Sequence, residues 1–258
     1  MSKLLNSPTP KLLFLAVLMV SCTTHYKVTE VTRTRMLIDQ RYDGKVDEAT
    51  ANFMKPFQQS VDQEMSPVLG QAASPIEPFR PESPMSNLLP DILIWAAPQY
   101  GEKADFGVYN IGGMRAAFAQ GDITIGDVFD VAPFENYLCF VTLTGDKVEE
   151  LLGQIAYRGG EGVSKEVRLV ITKENKLVSA TINGLPVDPA RQYRIATLDY
   201  VSHGNDRLVA FKNSTDRHDI SKEEGGLARD VLMRYIKERT AKGLPIEGKI
   251  EGRITIKE

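Results

Sequence analysis

The sequence predicts an α+β fold: a single domain with a mixed β-sheet and packed helices. Three observations carry that expectation. Strand-like segments follow one another without regular helix alternation, which argues against a doubly wound parallel sheet. Two stretches place apolar residues at helical spacing opposite a polar face, as expected for helices packed on a sheet. Hydrophobic residues make up 42% and charged residues 25% of the chain, the balance of a folded domain rather than a disordered or collagen-like one. The 258 residues can bury a real core in one large domain or two small ones. With 31 Lys and Arg against 34 Asp and Glu the net charge is −3, so no basic excess is available for phosphate runs and no nucleic-acid partner is expected. Two cysteines and three histidines are too few for a histidine-rich dinuclear metal centre.

Taken in order, Lys3 and Lys11 precede an apolar run from Leu12 to Val20, too short to span a bilayer and suited to a secretory signal. Residues 1–21 are read as that signal peptide. Met19-Val20-Ser21-Cys22 resembles a bacterial lipobox, which would make Cys22 the lipidated first residue of a segment over 22–46; an ordinary signal with an incidental cysteine is the alternative. Within that segment 26–38 is β-branched and reads as one or two edge strands. The stretch 47–85 reads as a helix followed by a proline-rich linker. Phe53, Phe57, Val61 and Met65 share one face of the helix and Pro56 should kink it. Pro67, Pro75, Pro78, Pro81 and Pro84 favour an extended connection.

The domain proper is expected over 86–258. Ser86 can cap a helix reaching Trp95, with Pro90 in its first turn. Phe106–Tyr109 reads as a buried strand, 123–129 as a helical turn and 136–143 as a strand. From Thr144, positions Val148, Leu151, Leu152 and Ile155 define an amphipathic helix. Val167–Ile171, Leu177–Ile182 and 193–198 read as strands, with a turn at Asn183-Gly184 before Leu185. Leu227, Val231 and Tyr235 mark another helix, and 250–256 a final strand. Cys139, among Tyr137, Leu138, Phe140 and Val141, reads as a buried, inert thiol without a disulfide partner.

Three clusters combine a special backbone with a reactive or stacking side chain. In Asn110-Ile111-Gly112-Gly113-Met114-Arg115, two glycines and an arginine at a strand end could hold an anion; a plain tight turn with a solvated arginine is equally consistent. Pro133 presents Phe134 from a loop that continues to Asn136. Tyr200 leaves a strand, and Gly204-Asn205 delivers Asp206. Two aromatics, a carboxylate and an arginine are the parts that bind a nucleoside: a base between rings, ribose on the carboxylate, phosphate on the arginine. Spacing alone favours core positions for both aromatics.

The ordered set of Asn110-x-Gly-Gly-x-Arg115, Gly121-Asp122-Ile123-Thr124, Asp127-Val128, Pro133-Phe134 and Leu143-Thr144-Gly145 resembles the carboxy-terminal domain of the 5'-nucleotidase family. The similarity continues through Gly159-Gly160, Val187-Asp188-Pro189, Tyr193, Leu198 to Asp206 and Glu251-Gly252-Arg253-Ile254. The resemblance implies that Phe134 and Tyr200 sandwich a base and Asp206 binds ribose hydroxyls. It also implies that Arg115 faces phosphate and ribose, that Asn110 and Asn136 shape the base pocket, and that Gly112, Gly113 and Gly160 belong to the binding site. Tyr200 stands where the family often has Phe, Asn205 replaces a glycine, and Phe79 occupies an arginine position with Arg80 offset by one. In the family a separate metallophosphoesterase domain carries two divalent metals; of its Asp-x-His, Gly-Asn-His and Gly-His-x-His runs only an isolated Asp216-Arg217-His218 triplet occurs in these 258 residues. No cofactor and no catalytic residue is therefore expected in this chain, which would be inactive alone. His203 reads as a residue of the pocket rim.

The resulting expectation is an exported, membrane-anchored lipoprotein that binds a nucleoside or nucleotide. It would serve as the recognition half of a split nucleotidase beside a metallophosphoesterase chain. Two alternatives stay open: a nucleoside-binding lipoprotein that works alone, and a structural surface module that has lost the pocket.

Overall fold

The structure, a computed structural model, describes residues 26–257 except 38, 43 and 45. The signal peptide and Cys22 lie outside the described residues. The chain divides into two compact units, Met1–Phe53 and Met54–Glu258.

In the first unit, 26–37 are exposed and form no strand, so the expected edge strands are absent there; β-branched residues alone do not hold a strand without a hydrogen-bonded neighbour. Helix α1 (Glu48–Met65) begins in this unit and continues into the second. It runs through Pro56 as one helix, and its apolar stripe of Phe53, Phe57 and Val61 is exposed.

The second unit contains three sheets among the described residues. Strand β1 (Val68–Ala72) pairs antiparallel with β3 (Gly121–Thr124). This corrects the extended linker expected here: Leu69 and Ala72 are buried between the prolines, and a partner strand supplies the hydrogen bonds that local sequence does not announce. The five-stranded sheet has the order β10-β4-β9-β2-β5. Its members are β10 (Thr215–Asp219), β4 (Leu138–Thr144), β9 (Gln192–Leu198), β2 (Phe106–Tyr109) and β5 (Gly162–Val163). A four-stranded sheet runs β11-β6-β7-β8, formed by β11 (Ile254–Ile256), β6 (Val167–Ile171), β7 (Leu177–Ile182) and β8 (Leu185–Pro186). Parallel pairs β2·β9 and β11·β6 stand beside antiparallel ones, so the sheets are mixed and the fold is α+β.

Helices α2 (Pro84–Ala96), α3 (Ile125–Val131), α4 (Gly145–Tyr157), α5 (Asp199–Ser202) and α6 (Ala228–Ala241) complete the unit. The cap of α2 is Ser83 and not Ser86. The two serines form a reciprocal capping box, with Ser86 as the third residue of the helix, Pro84 in the first turn and Pro90 in the interior. Helix α4 buries Val148, Leu151, Leu152 and Ile155, the face its spacing predicts. Cys139 is free and fully buried. Burial pushes its thiol up to about 12, so it stays protonated and unreactive.

The chain's last strand is held by buried polar groups. Arg253, 2% exposed, donates to Asp91 at 2.7 and 2.8 Å and to Glu251 at 2.7 Å. Glu82 accepts from Asn87 Nδ2 at 2.6 Å and from the Glu251 amide at 2.7 Å. Burial pushes the Glu82 carboxyl up, but those donors outweigh it and hold it below its ordinary 4.5. A carboxylate with a depressed folded value contributes stability above its unfolded value and loses it as pH falls through the folded one. Glu82→Gln should therefore lower the melting temperature at pH 7 and reduce the loss of stability below pH 4.5, as read by thermal melts at stepped pH.

Candidate functional site

The register of the five-stranded sheet gathers four connections at one edge. β2 and β9 are parallel, with Phe106 opposite Ile195 and Gly107 opposite Ala196, so their carboxy-terminal ends open side by side. Residues 110–114 leave the first end and α5, carrying Tyr200, leaves the second. β4 runs antiparallel to β9 with Leu138 opposite Leu198, which brings the incoming loop with Phe134 and Asn136 to the same edge. β5 is antiparallel to β2 with Gly162 opposite Tyr109, so Glu161 arrives there too. One carboxylate fastens the two aromatic-bearing loops: Asp199 Oδ1 accepts from the Tyr137 amide at 3.0 Å and from the Tyr200 amide at 2.7 Å.

These loops enclose a cavity of about 180 Å³ lined by Asn110, Gly112, Gly113, Phe134, Asn136, Tyr200 and Asp206. Phe134 is 46% and Tyr200 41% exposed, which removes both from the core, where spacing alone would have put them. Asn110 Nδ2 donates to Asp206 Oδ2 at 2.6 Å, leaving Asp206 Oδ1 for another donor. A Cβ on Gly113 would lie 2.9 Å from Asn110 Oδ1, so the second glycine makes room for that pair. Asn110 Oδ1 is buried without a hydrogen-bond partner among the described residues.

Two expected residues are placed elsewhere. Arg115 is exposed outside the lining, and its Nη1 donates to the Gly112 carbonyl at 3.4 Å. Gly160 is required by packing: its φ is +107°, and a Cβ would meet the Pro81 carbonyl oxygen at 2.2 Å. Arg80 turns from the cavity to a different partner, Glu161, at 2.5 Å. Phe79, at the family's arginine position, is 42% exposed. His203 is exposed, with Nδ1 2.7 Å from the Asp199 carbonyl oxygen. Among the described residues no three His, Cys, Asp or Glu side chains gather as metal ligands.

Sequence reasoning missed Glu161 and Asp199. Glu161 is fully buried; one oxygen takes Arg80 and Arg158, and the other accepts from the Ile111 amide at 2.5 Å. Its signal was a carboxylate between two glycines in a buried stretch, where an ionisable residue needs partners. Asp199 carried the milder signal of an acid at the end of an apolar strand.

The 5'-nucleotidase, C-terminal domain model matches residues 68–213. The chain belongs to that family. It is 32% identical to the silent protein UshA(0) of Salmonella typhimurium over 73% of this chain and 34% of that one. Protein UshA of Escherichia coli K12 is 31% identical over 72% and 34%. The chain thus spans about a third of the length of the curated relatives it matches. Among solved structures, the 5'-nucleotidase precursor of Thermus thermophilus superposes with a TM-score of 0.65 at 24% identity, over 81% of this chain and 42% of that one. That likeness shows the fold. Family membership accounts for the order of the motifs from Asn110 to Asp206.

Gly160→Ala tests the packing role, because both the left-handed φ and the Pro81 contact oppose a side chain. The substitution should cost about 1–3 kcal/mol of stability in a denaturant melt, with the ligand affinity of the folded fraction unchanged.

Proposed function

We propose that this chain binds a nucleoside or nucleotide in the cavity between Phe134 and Tyr200. The observation that carries the reading is two half-exposed rings from separate loops lining one cavity with the Asp206 carboxylate. A base seated there stacks between the rings. Asp206, oriented by Asn110 through one oxygen, accepts from the ribose hydroxyls with the other. Asn110 and Asn136 border the base, and Arg115, tied to the lining only through the Gly112 carbonyl, is left for a phosphate.

The role that follows is substrate recognition for a nucleotidase whose hydrolytic half is a separate metallophosphoesterase chain. That partner would supply two divalent metals and the attacking hydroxide. Among the described residues no helix is long and apolar enough to cross a membrane, and the anchor in this reading is an acyl chain on Cys22 of an exported lipoprotein.

Calorimetric titration with nucleosides tests the cavity. Phe134→Ala and Tyr200→Ala should each weaken binding by about 1–3 kcal/mol, roughly 5- to 150-fold, with the fold retained. Tyr200→Phe should cost little, because stacking uses the ring face. Asp206→Ala should weaken a riboside more than its 2',3'-dideoxy counterpart; the reverse order defeats the ribose assignment. A sharp fall in melting temperature with unchanged affinity in the ring variants would return both rings to a structural role.

Cys22→Ser should move the protein from the membrane pellet to the soluble exported fraction. Sedimentation that persists after a high-salt wash contradicts the anchor.

A further inference from the structure

A second cavity, of about 470 Å³, borders the first and is lined by Arg80, Tyr157, Arg158, Glu174, Asn175 and Arg207. We propose that it takes a phosphoryl group carried on the 2' or 3' oxygen of a nucleoside seated in the first cavity, so that the preferred ligand is a nucleoside 3'- or 2'-phosphate. The proposal rests on the nucleoside reading above.

Three guanidinium groups in one wall repel one another unless anions compensate them. Buried Glu161 serves Arg80 and Arg158 together, through one oxygen. Arg80 uses only Nη2 on it and Arg158 only Nε, which leaves most of the ten N–H donors on these two groups unspent. Arg207 has no hydrogen bond or ion pair among the described residues and is exposed. Glu174 is fully exposed on the rim, where water screens it, and Lys173 and Lys176 flank it in an exposed turn. The wall is therefore cationic and rich in donors arranged for a phosphoryl group, which planar guanidinium groups bind in bidentate fashion.

The two cavities meet at one turn. Asp206 and Arg207 both have left-handed backbone, with φ of +52° and +62°. The turn sends Asp206 into the first cavity and Arg207 into the second. Arg158 Nη2 lies 3.9 Å from Asp206 Oδ1. A ribose hydroxyl donating to that carboxylate sits about 2.7 Å from it, so a phosphoryl group on the neighbouring ribose oxygen comes beside Arg158 and Arg207. Their charge offsets the repulsion between phosphate and Asp206. A 5'-phosphate leaves the ribose at the opposite end and gains nothing from this wall.

The test is calorimetric titration of the purified chain with adenosine and uridine, their 5'- and 3'-monophosphates, and orthophosphate alone. The 3'-monophosphate should bind about tenfold or more tighter than its parent nucleoside, and this gain should fall as salt rises. Arg207→Gln should remove most of the gain while leaving nucleoside affinity within about twofold, and Arg207→Lys should retain part of it. A 3'-phosphate that gains nothing over the nucleoside overturns the proposal alone. A gain that survives in Arg207→Gln overturns it as well. Orthophosphate that binds equally with and without nucleoside, with no 3' gain, replaces it with a free-anion site. Neither nucleoside binding, phosphorylated or not, defeats the underlying nucleoside reading too.

Discussion

The candidate site depends on the hydrogen-bond register of three strands. With Leu138 opposite Leu198 and Phe106 opposite Ile195, the ends of β2 and β9 and the start of β4 share one edge, and each delivers one wall of the cavity. A slip of one residue would turn every side chain of a strand to its other face. It would turn Arg194 toward the place of the fully buried Ile195 and part Phe134 from Tyr200. Fully buried Phe140, Val141, Ile195 and Leu198 oppose that slip, so the core specifies the site without touching it. Asp199 then converts strand register into loop position, because its single carboxylate holds the amides that adjoin both aromatic loops.

Glu161 does similar work on the other side with more electrostatic consequence. A fully buried carboxylate is costly unless paired and hydrogen-bonded, and here two guanidinium groups and the Ile111 amide satisfy it. Removing it would leave Arg80 and Arg158 close together without their shared counter-ion and free the amide that opens the glycine turn. One buried group thus sets both the shape of the first cavity and the charge of the second.

Much of the fold was legible because periodicity and burial agree. β2, β6 and β7 have the expected limits, and in β2 and β6 the buried residues stand in a short apolar run and an alternating one. The spacing from Val148 to Ile155 admits only one core-facing side of a helix. β1 was hidden because its hydrogen bonds come from β3, about 50 residues away, while local prolines argued for a linker. The cap shifted from Ser86 to Ser83 because each serine accepts from the other's amide, and only the backbone, extended at Ser83 with φ of −145°, shows which of them stands outside the helix. At the site, residue types alone could not separate a stacking ring from a core ring; the motif resemblance pointed to the first, and Phe134 and Tyr200 lie outside the core. The contact of Gly160 with the Pro81 backbone was not legible, because a glycine needed for backbone contact and one needed for ligand approach look alike in sequence. Glu161 was passed over because a lone acid gives no hint of partners as far away in the chain as Arg80.

The turn from Gly204 to Arg207 shows how the family pattern can change while Asp206 still lines the cavity. Asn205 replaces the second family glycine, and this is tolerated because Asn205 is not among the residues with positive φ. Its side chain donates to the Tyr200 carbonyl at 2.8 Å, tying the ring-bearing turn to the carboxylate-bearing one. The strain falls instead on Asp206 and Arg207, whose left-handed backbone costs of order 1–3 kcal/mol each. Such strain persists only when both sides of the turn are held. Asn110 holds Asp206, and the fully buried Leu208 holds the chain immediately after Arg207. Held in that turn, the two adjacent residues face different cavities. The strained turn is therefore what places an acceptor for hydroxyls and a donor for anions a single residue apart.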